Sequence, residues 1–414
     1  MAASGYTGAN HRSMRRRNRA VIFRAIHVLG PIARIDLAKT TGLNAATVSS
    51  VVDELLTDGI VIESGVHASG RVGRRPVHLA IAATARYAIG VDLARDVTTA
   101  AVVDLAGTVH AQVSGPGAGD GDDADQVLEP VVGLIRRLLD DLPRPARRGI
   151  VGVGVGLPSP VRMVSAQQLA PHSFGHWRTI DARTELGRRL RLPVYADNNA
   201  NASALAELCF GAGRTVDDFV LLTLGTGVGA GVVVDGRLYR GHHDIAGEAG
   251  HVTISVDGRP CACGSRGCLE TYVSAPAIVR TVRARLASGS TSTLADAADR
   301  GELTLGAVIA AFEQRDRLAR TVFARVARQL AAGIVNLLYT LDPALVLLGR
   351  EVAHAGEEFL QLVREAVEAR VFPGMRDNWR IDLVRLPDAP VVGAAALALG
   401  EYFPAALEAS PSPL

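Results

Sequence analysis

Apolar positions recur at helical spacing over residues 18–29, where Val21, Ile22, Ile26 and Leu29 line one face. A second short helix is predicted over 34–41, running into Gly42 as a tight turn. Asn44 then caps a third helix that reaches about residue 58, with Val48, Val51, Val52 and Leu55 as its buried stripe. Two short strands, 60–64 and 77–81, flank a loop rich in glycine and arginine at 65–75. Helix, helix, turn, helix, hairpin is the order of a winged helix-turn-helix.

The grammar changes near Tyr87. Strands are predicted at 88–93, 100–105, 150–155 and 193–196, helices at 124–140 and 199–210, a β-rich block at 219–256, and mostly helices from Pro276 to Leu341. The acidic, glycine-rich stretch 115–125 reads as a solvated loop. Such alternation is an α/β architecture with ligand sites at strand ends, and a glycine-rich hairpin opening each half favours two lobes. The domain plan is therefore a tail at 1–14, a winged head at 15–84, a two-lobed body at 85–403 and a second tail at 404–414, both tails being read as disordered.

A chain of 414 residues suits two to three domains, and 48% hydrophobic content supplies their cores. Aromatics are only 4% and Lys39 is the single lysine, a bias that carries no mechanism. The net charge of +2 hides an asymmetry. Residues 1–80 hold ten arginines and one lysine against five acids, whereas the rest is mildly acidic. A basic head on an acidic body fits a nucleic-acid-binding module joined to something else. No secretory signal is evident after Arg15–Arg17, and the longest apolar run, 330–349, is interrupted by Asn336, Asp342 and Pro343, so a cytoplasmic protein is expected.

Two helices that cross closely need a small residue, a turn glycine and an apolar anchor, and Ala38, Gly42 and Val48 stand at those offsets. The exposed face of the third helix then offers Asn44, Thr47, Ser49 and Ser50 to base edges in a major groove. Arg71, Arg74 and Arg75 on the wing would enter a minor groove or grip phosphates, and Arg34 and residues 15–19 would add contacts to double-stranded DNA.

Three of the four cysteines fall within eight residues, which in a reducing compartment argues for metal before disulfide. His251, Cys261, Cys263 and Cys268 make a Cys₃His set for structural zinc, with no position left for a hydrolytic water. One ring nitrogen of His251 would remain free for another partner. Cys209, on a helix, reads as a buried thiol.

The segments GVDLARDVTTAAVVDLAGTV, LTLGTGVGAGVVVDGRLYRG, GEAGH and CACGSRGCLE, in that order behind a winged helix, resemble the ROK family of repressors, open reading frames and sugar kinases. The resemblance spans residues 15–403. It implies a two-lobed, actin-like, sugar-kinase-like ATPase fold, a bound zinc, a homodimer or homotetramer, and a mono- or oligosaccharide bound between lobes. Carried over by position, it implies that Asn198, Glu248, His251 and Glu270 bind sugar hydroxyls. Taken singly, Glu270 would merely start a helix and Asn198 merely end a strand.

Two departures from the family kinases matter. After Asp92 the chain reads Leu93, Ala94, Arg95, Asp96, without the glycines that let backbone amides approach ATP phosphates. Where those kinases carry the catalytic aspartate stands Asn199, which can hold a hydroxyl but cannot take its proton, forfeiting about 10²- to 10⁴-fold in rate. Ser159 also stands where the family often has glycine. The expectation is a non-enzymatic, sugar-responsive repressor. Its rivals are an active hexose kinase using Asp197 or Asp92 as base, and a regulator answering to a phosphosugar or a protein partner.

Overall fold

The computed structural model describes residues 11–65, 76–94, 96–117, 124–158, 161–162, 167–168, 181–376, 378–386 and 388–403. These form two compact units. The first comprises the chain up to Thr215, the segment Gly236–Asp244 and everything from Leu386 onward; the second comprises Val216–Asp235 and Ile245–Arg385.

The head opens the first unit. Helix α1 (His11–Leu29) leads through a two-residue strand β1 (Ile32–Ala33) into α2 (Arg34–Thr41) and α3 (Ala45–Thr57). Gly42 ends α2 with φ 68°, a left-handed conformation that costs glycine nothing. Val48, Val51, Val52 and Leu55 are buried as the 3.6-residue period requires. Strands β2 (Val61–Glu63) and β3 (His78–Ile81) pair antiparallel, and β1 joins them in a three-stranded sheet ordered β1-β3-β2. The intervening wing, with Arg71, Arg74 and Arg75, lies outside the described residues, as do the first ten residues and those after Phe403.

The body of this unit is a five-stranded sheet of β4 (Tyr87–Leu93), β5 (Val97–Asp104), β6 (Val109–Pro116), β7 (Ile150–Leu157) and β10 (Val194–Asn198), ordered β10-β7-β4-β5-β6. Strands β4, β7 and β10 are parallel, and their register sets Asp92 and Asp197 on either side of Gly156 at the carboxyl ends. Helices α4 (Ala124–Asp141), α5 (Arg144–Arg148) and α6 (Ala182–Leu190) lie in the stretches between, together with a two-residue ladder of β8 (Val161–Arg162) and β9 (Gln167–Gln168). The strand β10 passes straight into α7 (Asn199–Phe210), buried from Ala200 to Cys209.

The second unit begins with the hairpin β11 (Phe219–Leu224) and β12 (Val228–Val234), and the chain then returns to the first unit for β13 (Arg237–Tyr239). It continues with α8 (Glu270–Val273), α9 (Ala275–Ala287), α10 (Ala295–Asp299), α11 (Leu305–Glu313) and α12 (Arg317–Leu341), then β14 (Leu345–Gly349), α13 (Gly356–Glu368) and β15 (Arg380–Leu383). Within this unit the strands run β12-β11-β14-β15, with β11, β14 and β15 parallel. Its core joins Val220, Leu222 and Leu348 to Phe312, Phe323 and Phe359 on the helices. The β-rich stretch expected over 219–256 ends sooner: the last strand closes at Tyr239, and Ala249–His251 forms a 3₁₀ turn.

The last helix, α14 (Ala389–Ala398), belongs to the first unit and lies against both its sheet and α7. A Cβ on Gly90 would fall 1.9 Å from the Val391 carbonyl, one on Gly154 1.7 Å from Ala394, and one on Gly393 1.7 Å from Ala202. Only glycine permits this approach of backbone to backbone.

Candidate functional site

His251, Cys261, Cys263 and Cys268 offer ligand atoms that all lie within 4.8 Å of one another. Cys261 Sγ is 3.6 Å from His251 Nδ1, and Cys263 Sγ is 3.7 Å from Cys268 Sγ. A tetrahedral metal with sulfur at about 2.3 Å and nitrogen at about 2.0 Å separates its ligand atoms by roughly 3.5–3.8 Å, so the donor set fits. Hydrogen bonding from the Ser265 backbone holds the Cys263 thiol below its ordinary value. Burial raises Cys261 and pushes Cys268 up to about 12. A divalent cation is the group that would let all three sulfurs ionise together. Cys209, by contrast, is buried in α7 and pushed up to about 12 by burial.

With Nδ1 toward Cys261, the other nitrogen of His251 lies 3.8 Å from Glu248 Oε2. Burial raises the Glu248 carboxyl; His251 opposes that shift and Glu270 adds to it. Glu270 starts α8, and its Oε2 accepts the Val228 N–H at 2.9 Å, beside the Gly225–Gly227 turn of the β11–β12 hairpin. Imidazole and two carboxylates thus gather in the second unit.

Asn198 and Asn199 belong to the first unit. Asn198 ends β10 and caps α7, its Oδ1 accepting from the backbones of Ala200 at 2.7 Å and Asn201 at 3.4 Å. Its Nδ2 donors remain for another acceptor. Asn199 is half-buried at the first position of α7. Asp197 is held from every side: Arg240 donates to Oδ2 through Nη2 at 2.7 Å and Nε at 3.1 Å, while Asn201 Nδ2 and the Asn198 N–H reach Oδ1 at 2.9 and 2.7 Å. Both members of this ion pair are almost fully buried. A carboxylate so bound is a poor general base.

In the head, Asn44 Oδ1 accepts the Thr47 N–H at 2.8 Å, leaving its amide nitrogen at the exposed start of α3. Ser50 is exposed, and Thr47 and Ser49 half-buried, on the same helix. Arg34 is engaged inside the head, 2.8 Å from Asp53 and donating to the Ser49 carbonyl at 3.4 Å, so it braces α2 against α3. Arg15 pairs with Glu54, and Arg19 with Asp58 at 2.7 Å, bracing α1 against α3; Arg16 and Arg17 are exposed.

Residues 88–401 match the ROK family. The xylose repressor of Caldicellulosiruptor bescii is 31% identical over 397 residues, covering 95% of this chain and 98% of that protein. The chain belongs to the ROK family. A solved ROK family transcriptional regulator, a homologue of the Escherichia coli MLC protein, is 28% identical with a TM-score of 0.78, covering 94% of this chain and 97% of that one. A ROK glucokinase from Streptomyces griseus, solved with glucose and AMPPNP, is 29% identical with a TM-score of 0.67, and covers 76% of this chain and 99% of its own.

Within this ROK fold β4 ends on buried Leu93 and the turn that follows carries exposed Asp96, with Arg95 outside the described residues. Sequence reasoning missed two features. Arg240 sits in the segment Gly236–Asp244, and nothing in its neighbours along the chain announces that it locks Asp197. The docking of the head likewise has no motif to mark it. Phe23 and His27 of α1 meet Phe210 at the end of α7 and Tyr402 and Phe403 beyond α14, with ring centroids 5.2–6.1 Å apart. Arg214 Nη2 adds a 2.6 Å bond to the His27 carbonyl. The signal was present as aromatic residues in a chain that has few of them. Among the described residues no helix is long and apolar enough to cross a membrane.

Proposed function

We propose that this chain is a carbohydrate-responsive, DNA-binding transcription regulator, a repressor of genes for sugar uptake or metabolism, whose kinase-like body transfers no phosphate. The observation that carries the reading is the match to a xylose repressor along nearly the whole chain, head included. Asn199 at the start of α7 and the Arg240-bound Asp197 favour binding without phosphoryl transfer, since neither supplies a free carboxylate to deprotonate a hydroxyl. The sugar ligands in this proposal are Asn198, Asn199, Glu248, His251 and Glu270, with zinc in the Cys₃His set fixing the loop that carries His251. The head reads duplex DNA through Asn44, Thr47, Ser49 and Ser50, helped by the wing arginines Arg71, Arg74 and Arg75.

Helix α7 connects the two tasks. Asn198 caps it and Asn199 is its first residue, and its last residue, Phe210, packs edge-on against His27 of α1 at 5.8 Å. A sugar that reorients α7 therefore acts on the docked head, and regulation follows provided the two head positions differ in sugar affinity. A homodimer or homotetramer in the cytoplasm would present paired heads to a palindromic operator.

The test is fluorescence anisotropy of the full chain on DNA from upstream of its own gene, titrated with xylose, glucose and N-acetylglucosamine. One sugar should weaken DNA binding at least tenfold, and none doing so would overturn the reading. An ADP-release assay with the same sugars should stay at background; turnover would restore the kinase alternative.

A further inference from the structure

Helices α9 and α12 of the second unit pack together, and neither contains an acid. The first carries Arg280, Arg283 and Arg285, the second Arg317, Arg320, Arg325 and Arg328. Helix surfaces ordinarily interleave such cations with carboxylates three or four residues away. Here Arg280, Thr281, Ala284 and Arg285 share one face of α9, and Arg325, Arg328, Gln329 and Ala332 one face of α12. Two cavities, of about 330 and 470 Å³, adjoin at Arg325. No carboxylate lines either one, and among the described residues Arg259, Arg280, Arg285 and Arg325 make no ion pair.

The smaller cavity is built rather than merely basic. Arg259 lies 4.9 Å over the Tyr272 ring and donates to the Thr271 carbonyl at 2.8 Å and to Thr281 Oγ1 at 3.4 Å. Neutral partners thus fix its guanidinium without cancelling its charge. Four guanidinium groups facing one concave space repel one another, and an anion with several acceptor oxygens removes that repulsion while taking forked hydrogen bonds.

We propose that this concavity binds a phosphate monoester, a small phosphorylated metabolite whose phosphate sits among Arg259, Arg280 and Arg325 and whose remainder extends toward Arg328 and Tyr272. The two volumes together suit a ligand of that size, within the usual range of about 300–1,000 Å³ for small-molecule pockets. The proposal does not rest on the carbohydrate reading, because none of the sugar residues lines either cavity.

Isothermal titration calorimetry of the full chain with inorganic phosphate, glucose 6-phosphate and glucose, at matched ionic strength, tests it. Saturable phosphate binding is expected, tighter for the sugar phosphate, and at least tenfold weaker in R280Q/R325Q. Arg325→Lys should recover part of the loss, since it restores the charge but not the fork. Both arginines are exposed on helices, so circular dichroism and Tm of the double variant should match the parent. Heats no larger than those of chloride, or equal binding by the double variant, would overturn the proposal. So would a double variant that binds no less phosphate but changes oligomeric mass, marking a subunit interface, or one that loses only DNA affinity, marking a nucleic-acid contact.

Discussion

Acid should loosen the head from the body through one histidine. The His27 ring lies 5.3 Å from Phe403 and 5.8 Å from Phe210, and burial, followed by the charge of Arg214, lowers its pKa from 6.5 to about 4. Between these values the unfolded chain holds the proton and the folded one does not, so stability is complete above pH 6.5 and falls as the pH drops toward 4. At about 1.4 kcal/mol per pKa unit the full loss is about 3 kcal/mol, of which about 2 kcal/mol has gone by pH 5. The assay is urea unfolding followed by circular dichroism, pH 7.5 to 4.5, on the parent and on His27→Phe, which keeps an aromatic ring but cannot titrate. Subtracting one curve from the other removes every other titrating group, and the difference should favour the phenylalanine variant increasingly with acid. Parallel curves would refute the reasoning.

Arg240→Met should cost about 3–5 kcal/mol in the same measurement, because it strands the buried Asp197 charge, and the D197N/R240M pair should recover most of it. Atomic spectroscopy should find one zinc per chain, absent from Cys261→Ser, and chelation should expose three thiols to Ellman's reagent while buried Cys209 stays silent. Phe403→Ala removes a ring that touches Phe23, His27 and Phe210 at 5.2–5.4 Å; it should leave DNA affinity within about threefold yet erase any effect of sugar on that affinity.

Helices α2 and α3 of the head were legible because their signals are local: a capping asparagine, a turn glycine and a 3.6-residue apolar stripe on α3; α1 instead begins at His11, inside the stretch expected to be a disordered tail. The gathering of His251 with Cys261, Cys263 and Cys268 was legible because cysteine clustering has few other causes. The stretch after Tyr239 misled, since Val252, Ile254 and Val256 alternate with polar residues as a strand would. In the fold Val256 is 82% exposed, and the segment follows the turns that bring His251 to the cysteines. Helix α14 left no periodic trace, because a helix buried on all sides has no polar face to mark its period. The ion pair of Arg34 with Asp53 depends on two helices meeting, which spacing alone does not reveal.

The close seat of α14 against Gly90, Gly154 and Ala202 bears on how the protein is made. Every strand it covers leaves the ribosome long before it does, so the nascent first unit must wait with its central sheet uncapped while the whole second unit is translated. A ribosome stalled short of residue 389 would hold a chain whose N-terminal head is already formed but has no finished platform to rest on, and that interval is where chaperone dependence and aggregation should concentrate.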